Sequence, residues 1–375
     1  LTEEQALDRL DHVLVLAKNA GADAADTLYF GEASTGIGVR LGKLEEIGRS
    51  EGEEIGLRLF LGERSAQVSV SDLSPSALDE AVARAMAMAR EATPDRYAGL
   101  APEELLAKGP FTDLARFDPE VERLPAERLR QMALAVEDAG RAVAGITGSE
   151  GGSASAGSSV SALATSTGFR GAESGTSVSA SAVVIAGDGE GRQRDYAWHS
   201  SRHLADLEAL AEIGRRAGER TVARLAPKPA PTGRLPVLFD PRVSASLLGH
   251  LLSAIAGPSI ARKTSFLREH AGKQIFRPEI IIRDDPSLPK GLRSRSFDGE
   301  GLPTTPRDLI SGGTLSGWLM DSASARQLGL QPTGHASRGA AGPPGVSASN
   351  LWLEGGRQSP ESLIAEVEDG LYVND

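Results

Sequence analysis

The chain has 375 residues, of which 40% are hydrophobic and 24% charged, an ordinary composition for a globular protein of two or more domains. Its formal net charge of −11 disfavours binding to the phosphate backbone of nucleic acids. It contains no cysteine, which excludes disulfides, thiolate metal ligands and a cysteine nucleophile from this sequence. No run of about 18 apolar residues indicates a membrane-spanning helix, so we expect neither nucleic-acid nor membrane partners.

The first quarter of the sequence predicts two helices around an antiparallel sheet. Residues 3–20 place apolar side chains at helical spacing and end at Gly21, which is typical of a surface helix. Residues 25–73 alternate apolar and polar side chains between glycines and predict an antiparallel meander with one solvated face. Ser74, as N-cap, and Pro75, at the first helical position, then begin a second helix.

The next part of the sequence predicts a connecting segment over residues 94–125 and a third helix over residues 125–145. Residues 147–194 alternate serine with valine and alanine. A low-complexity linker is one interpretation of this composition. The period of two favours strands of small residues instead, with Asp188-Gly189 as a hairpin turn. Residues 203–225 predict a fourth helix.

The proline-rich stretch 226–236 predicts a linker between two domains. We expect an N-terminal α+β domain in residues 1–226 and a C-terminal β-rich domain in residues 235–375, opened by a buried strand at residues 235–239. The mixture of helices and antiparallel strands favours an α+β fold over a doubly wound parallel sheet. Because the sequence stops where a helix leads into a strand, we expect the natural chain to continue past residue 375.

The stretch Ser244–Gly257 predicts an amphipathic core helix with one apolar stripe and a histidine, His250, beside it. A zinc hydrolase site on a helix needs two ligands and a general base from neighbouring turns. The positions before His250 that would supply them hold Ala245 and Ser246, which are poor zinc ligands and poor bases. The residues alone therefore disfavour a catalytic metal on this helix.

Other histidines offer weaker candidates for a site. His199 and His203 have the spacing of two metal ligands on one helix face, but no carboxylate or third histidine follows them, so a solvated helix entry is favoured. His335 lies between Gly334 and Arg338 in a Gly/Pro-rich loop, where the backbone can approach a ligand, with an ordinary flexible loop as the alternative. Neither a Gly-rich phosphate motif nor a serine-hydrolase elbow occurs.

Several segments in order resemble the TldD/PmbA family, and its PmbA branch, also called TldE, in particular. These segments are residues 34–74, 161–198, 297–304, 313–329, 332–339, 347–356 and 359–373. The resemblance implies a two-domain α+β protein that takes part in proteolysis in the cytoplasm. It also implies the family's roles in microcin processing and antitoxin degradation, and its older description as a modulator of DNA gyrase.

The resemblance further implies a division of labour between two subunits. The TldD branch is the zinc metallopeptidase, with a helical His-Glu-x-x-x-His motif, and the PmbA branch is its partner in a heteromeric complex. The motif's first histidine falls on Ala245, its glutamate on Ser246 and its last histidine on His250. The cysteine that the TldD branch carries near its C-terminus has no counterpart either. The resemblance thus predicts a subunit without catalytic residues or metal, with zinc only in a TldD-like partner.

The predicted role of this subunit is to help admit peptides or unfolded proteins to the complex. An extended peptide can add to a sheet edge, and the Ser-rich strands and the loop around His335, with Arg338 and Asn350, are the candidate surfaces. Two alternatives remain open. One is a peptidase active by itself, also as a homodimer, with His250 and His335 as ligands. The other is a non-enzymatic peptide-binding or regulatory protein.

Overall fold

The computed structural model describes residues 1–228 and 232–374, here called the N-terminal and C-terminal halves. The N-terminal half contains an antiparallel six-stranded sheet in the order β3-β2-β1-β4-β5-β6. Its strands are β1 (Ala24–Arg40), β2 (Lys43–Leu61), β3 (Arg64–Val70), β4 (Ile146–Thr165), β5 (Arg170–Ala186) and β6 (Gln193–Ser201). The predicted meander and the predicted small-residue strands are both confirmed, and the Ser-rich region is not a linker.

Helices cover both ends of these long strands. They are α1 (Glu3–Asn19), α2 (Pro75–Glu91), α3 (Pro119–Glu122), α4 (Ala126–Arg141) and α5 (Leu210–Ala223). The side chains of α1 and α2 pack against Tyr29, Ile55 and their neighbours, whereas α4 packs against Ile37 and Val39 at the far end of β1. Apolar residues at odd positions of β1 thus meet both helix groups, as strand alternation requires.

Two helix boundaries show how local chemistry and long-range pairing compete. Ser74 occupies the N-cap of α2 as predicted, but its side chain makes no capping hydrogen bond. The predicted start of the fourth helix at residue 203 is wrong, because α5 begins at Leu210. The reason is that residues up to Ser201 belong to β6, which pairs with β5, and a 3-10 turn at Leu204–Asp206 follows.

Small residues let the layers of the N-terminal half approach closely. Paired hydroxyls of Ser153 and Ser181, and of Ser155 and Ser179, lie 2.8 Å apart between β4 and β5. Helices α4 and α5 meet at glycine: a Cβ on Gly214 would lie 2.3 Å from a carbonyl oxygen of α4. This packing explains how a chain with only 4% aromatic residues builds a dense core.

The C-terminal half is built on a smaller sheet in the order β10-β9-β8-β13 and two strand pairs, β11-β12 and β14-β7. Its strands are β7 (Val237–Phe239), β8 (Ile282–Asp285), β9 (Arg307–Ser311), β10 (Thr314–Leu315), β11 (Ala336–Ser337), β12 (Gly345–Val346), β13 (Asn350–Leu353) and β14 (Leu371–Val373). Its helices are α6 (Pro241–Ala254), α7 (Gly257–Ala261), α8 (Ser322–Leu328) and α9 (Pro360–Ala365). This mixture of helices and antiparallel sheets confirms the predicted α+β fold. Over the described residues, none of the helices has the length and apolarity needed to cross a bilayer.

Two predictions of burial in the C-terminal half are wrong. Val237 and Phe239 of β7 are each 43% exposed, because β7 pairs with β14 alone. Helix α6 buries only Leu251 within its bounds and leaves Leu247 49% exposed, because one flank alone meets the core around Ile310. The predicted linker falls partly on residues 229–231, which lie outside the described residues, and the domain division stays a prediction.

The two halves meet through a small apolar core. Leu28 and Leu163 of the large sheet contact Phe169 and Phe297, whose ring centroids lie 5.0 Å apart. Phe297 begins residues 297–304, one of the segments that resemble the family and here called the Gly-rich stretch. Polar and charged side chains surround this apolar core and form the candidate site.

Candidate functional site

Helix α6 carries the three positions that correspond to the family's zinc motif. Asp240 caps it by accepting a hydrogen bond from the backbone N–H of Arg242 at 2.8 Å, and Pro241 starts its first turn. Ala245, Ser246 and His250 all lie exposed along the helix. The hydroxyl of Ser246 donates to the carbonyl oxygen of Val243 at 2.7 Å, one turn earlier in the same helix.

These positions do not fit a zinc ion. A methyl group and a hydroxyl already engaged with the backbone offer neither a ligand nor a general base beside His250. Across residues 1–228 and 232–374, nowhere do three side chains of the His, Cys, Asp and Glu types come together as metal ligands would. His199 and His203 do not pair either: the Nδ1 of His199 accepts from the N–H of Glu208, and the Nε2 of His203 lies 2.7 Å from the carbonyl oxygen of Ala115.

His335 is a buried partner of Asp284 rather than a solvated loop residue. Its side chain is 3% exposed, with Nε2 3.1 Å from the Oδ2 of Asp284 and Nδ1 2.7 Å from the carbonyl oxygen of Thr333. The hydroxyl of Thr333 also lies within hydrogen-bond distance of Nδ1, at 2.9 Å. The second carboxylate oxygen of Asp284 accepts from the N–H and hydroxyl of Ser349, each at 2.7 Å. Burial alone would raise the pKa of Asp284, but these hydrogen bonds outweigh it and lower that pKa.

Arg338 reaches from the C-terminal half into the large sheet. Its Nη1 donates to Asp26 of β1 at 2.5 Å, and Asp26 also accepts from the Nε of Arg58 on β2 at 3.1 Å. Burial would raise the pKa of Asp26, but the charges of Arg58 and Arg338 outweigh it and lower that pKa. The Nε and Nη2 of Arg338 are buried without a hydrogen-bond partner. This arginine is therefore both an anchor between the halves and a source of free donors.

Asn350 has a structural position at the start of β13. Its amide nitrogen donates to the carbonyl oxygen of Asp285 at 2.7 Å and to the hydroxyl of Ser294 at 2.8 Å. Its amide oxygen accepts from the backbone N–H of Arg293 at 3.0 Å. Asn350 thus holds the segment that carries Arg293 against β8 and β13. The segments that carry Asn350, His335 and Arg338 lie close together in the structure, whereas His250 lies on a separate helix.

Two acidic residues of the Gly-rich stretch lie buried beside Arg338 and were missed by the sequence analysis. Asp298 accepts backbone N–H groups from Glu300, Leu302 and Ala336 at 2.9 to 3.0 Å. Burial and the charge of Glu300 raise the pKa of Asp298 to about 7, against the opposing effect of these hydrogen bonds. Burial likewise raises the pKa of Glu300. The sequence signal for them was the alternation of Asp298 and Glu300 with glycine. A carboxylate can accept several backbone N–H groups only where the chain bends closely around it, and glycine allows such bends.

Comparison with known proteins identifies the family. Profiles of the PmbA/TldA metallopeptidase family match residues 25–89 as its domain 1, residues 119–225 as its central domain and residues 232–375 as its C-terminal domain. Metalloprotease PmbA of Escherichia coli O157:H7 is 36% identical over 364 residues, which cover 96% of this chain and 77% of that protein. The chain belongs to the PmbA/TldD family. The resemblance predicted from the sequence is thereby confirmed.

Solved structures of the family share the fold. A putative modulator of DNA gyrase from Bacteroides thetaiotaomicron superposes with a TM-score of 0.89 at 26% identity, over 97% of this chain and 80% of that one. TldE from Thermococcus kodakarensis superposes with a TM-score of 0.86 at 21% identity, over 98% of this chain and 82% of that one. The shared fold thus extends over both halves of the chain.

Proposed function

We propose that this chain is a PmbA/TldE-type subunit of a TldD/TldE-like metallopeptidase complex that acts on peptides or unfolded proteins in the cytoplasm. The observation that carries the proposal is helix α6, where Ala245 and Ser246 precede His250 in a member of a metallopeptidase family. A hydrolytic zinc needs ligands and a base that these residues do not supply. Zinc and the catalytic groups are then provided by a TldD-like partner.

Substrate contact in this proposal uses a free sheet edge. Strand β4, the first of the Ser-rich strands, lies between β1 and β5, so both its edges are already paired. Strand β3 pairs with β2 only over Ile55–Leu61. Within the described residues, no strand covers the outer edge of β2 from Lys43 to Glu54. An extended peptide can bind such an edge through its backbone, whatever its side chains.

The experiment mixes this chain with a TldD-type chain and measures complex formation and peptide cleavage. We expect the two chains to coelute in size-exclusion chromatography, and cleavage to require the mixture. Purified alone, this chain is expected to cleave no peptide and to hold no stoichiometric zinc. Absence of a complex would show that the subunit role is wrong.

A His250→Ala variant separates the alternatives. Under the proposal this variant forms the same complex with the same activity, because His250 ligates nothing. Stoichiometric zinc in the unmixed protein that is lost in His250→Ala would instead establish the self-sufficient, homodimeric peptidase. Peptide binding by the unmixed protein, without any complex, would favour the non-enzymatic binding or regulatory protein.

A further inference from the structure

A cavity of about 260 Å³ lies between the two halves of the molecule. Strands β1 and β4 of the large sheet form one wall, and the segments 292–299 and 336–338 of the C-terminal half form the other. The cavity reaches solvent beside Leu292, which is 46% exposed, and beside the exposed Arg293. It is separate from helix α6 and from the free edge of β2.

One charged residue of the cavity wall, Arg338, is almost fully buried. Its side chain is 1% exposed, and one nitrogen is bound to Asp26 while Nε and Nη2 have no partner. Arg295, another wall residue, donates from Nη2 to the carbonyl oxygen of Ser347 at 2.8 Å, and its Nε is also buried without a partner. Buried donors of a charged group are costly to leave unpaired. An acceptor that reaches both guanidinium groups would remove this cost.

The charge of the walls selects an anionic acceptor. Arg116, Arg293, Arg295 and Arg338 line the cavity, together with the acidic residues Glu173 and Asp298. Glu173 is already neutralised by its ion pair with Arg116. Asp298, with a pKa raised to about 7 by burial and by Glu300, carries only part of a negative charge at neutral pH. Arg338 is paired with Asp26, so the positive charge left in the wall is that of Arg293 and Arg295. Arginine forks bind carboxylates with paired hydrogen bonds.

Apolar side chains and three serines, Ser161, Ser294 and Ser337, form the rest of the lining. Leu28, Phe30, Leu163 and Phe297 supply the apolar surface beside the arginines. A water molecule occupies about 30 Å³ in the liquid, so the cavity of about 260 Å³ corresponds to roughly nine waters and has room for a single amino-acid residue. A carboxylate and an apolar side chain on the same small residue would match both parts of the lining.

We propose that this cavity binds the C-terminal residue of a peptide. Its carboxylate accepts hydrogen bonds from Arg338 and Arg295, and its apolar side chain lies against Leu28 and Phe30. The inference rests on the proposed function in that the ligand is a peptide. It adds a preference for free carboxyl ends, which strand addition to β2 does not provide.

The test measures binding of three fluorescently labelled peptides to the full chain by anisotropy. The probes are Ala-Ala-Leu with a free carboxylate, the same peptide as its amide, and Ala-Glu-Leu as its amide. We expect the free acid to bind at least about tenfold more tightly than either amide, since charge-assisted hydrogen bonds are the strong ones. Equal affinity of acid and amide, or no binding of the acid, would overturn the proposal. Equal binding of the glutamate-containing amide would overturn the assignment to the terminal carboxylate.

Substitutions locate the binding in the cavity. Arg295→Met is expected to remove the preference for the free acid, and Arg295→Lys to retain part of it. Arg277→Met removes the same charge from an exposed position outside the cavity and is expected to change nothing. Unchanged preference in Arg295→Met would refute the site. Size-exclusion chromatography of the same samples with the TldD-type chain tests the subunit role separately. If the complex forms but the protein does not prefer the free acid, the cavity proposal is refuted and the subunit role is not.

Discussion

Replacement of His335 by alanine tests the buried ion pair that fixes the loop of the family segment Pro332–Gly339. Among the residues that the structure describes, only His335 forms a hydrogen bond with the Oδ2 of Asp284, because Ser349 contacts Oδ1. Both side chains are almost fully buried, with exposures of 3% and 2%. Removal of one member of a buried pair leaves an uncompensated charge and typically costs about 3–5 kcal/mol. We expect His335→Ala to lower the free energy of unfolding by that amount.

The matched control is His250→Ala, which removes an exposed imidazole from α6. A surface substitution of this kind changes the free energy of unfolding by less than about 0.5 kcal/mol. Urea unfolding, followed by circular dichroism, measures both variants under the same conditions. The double variant Asp284→Asn with His335→Ala should recover part of the loss, since it removes the unpaired charge.

The pH dependence gives a second readout of the same pair. In the wild type the pKa of Asp284 is lowered, so its contribution to stability is present above the ordinary pKa and is lost as the pH falls through the lowered one. Without His335, its hydrogen bond and its charge no longer lower that pKa, so protonation of Asp284 relieves the penalty at a higher pH than in the wild type. The difference between wild type and His335→Ala should therefore shrink as the pH falls through the lowered pKa of Asp284. Equal losses in the two histidine variants, or a difference independent of pH, would refute the ion pair.

Three further predictions concern packing and charge, and urea unfolding measures each of them. Gly214→Ala should lower the free energy of unfolding by about 3 kcal/mol, because its Cβ meets the backbone of α4. Gly249→Ala, whose Cβ faces open space on α6, should raise it by about 0.5–1 kcal/mol. A change in the same direction in both variants would contradict the close packing at Gly214. The raised pKa of Asp298 means that the folded state keeps a proton which the unfolded state has lost. The free energy of unfolding should then fall by roughly 4 kcal/mol from about pH 4 to about pH 7, and Asp298→Asn should abolish this slope. Glu137→Gln should cost about 1–3 kcal/mol, because the buried carboxylate accepts two backbone N–H groups of the β1–β2 turn, and unchanged hydrogen exchange at that turn would argue against this role.

Local pattern was sufficient to predict the N-terminal half. Helices α1, α2 and α4 follow from the helical spacing of apolar residues and from the residues typical of helix ends. The Ser-rich strands follow from their period of two, although their composition alone is also typical of a linker. The same pattern failed where pairing over distance decides. Residues 203–209 have helical composition, but they follow directly after β6, which ends at Ser201, and a 3-10 turn occupies Leu204–Asp206.

His335, Arg338 and Asn350 were candidates from the sequence, but their partners could not be predicted because those partners are far apart in the sequence. Asp26 and Arg338 are separated by 312 positions, and Asp284 and His335 by 51. A single sequence shows only that Asp26 interrupts an apolar strand and that Asp298 and Glu300 alternate with glycine. Each of these acidic residues is only an unusual residue at its position in the sequence. The fold shows that all three lie in one buried region. The exposed face of α6 was missed for the related reason that an apolar stripe does not state how much of it is covered.

The buried charges between the halves are consistent with the role proposed above, a subunit that binds rather than cleaves. A network of Asp26, Arg58 and Arg338 costs desolvation, and apolar residues of the same volume would often be as stable. What such a network adds is a defined geometry, since each guanidinium fixes the carboxylate that faces it. The two unpartnered nitrogens of Arg338, whose side chain is 1% exposed, are then the donors that a polar ligand would pair. Recognition would reside in this cavity, while helix α6 lacks the residues that hydrolysis would require.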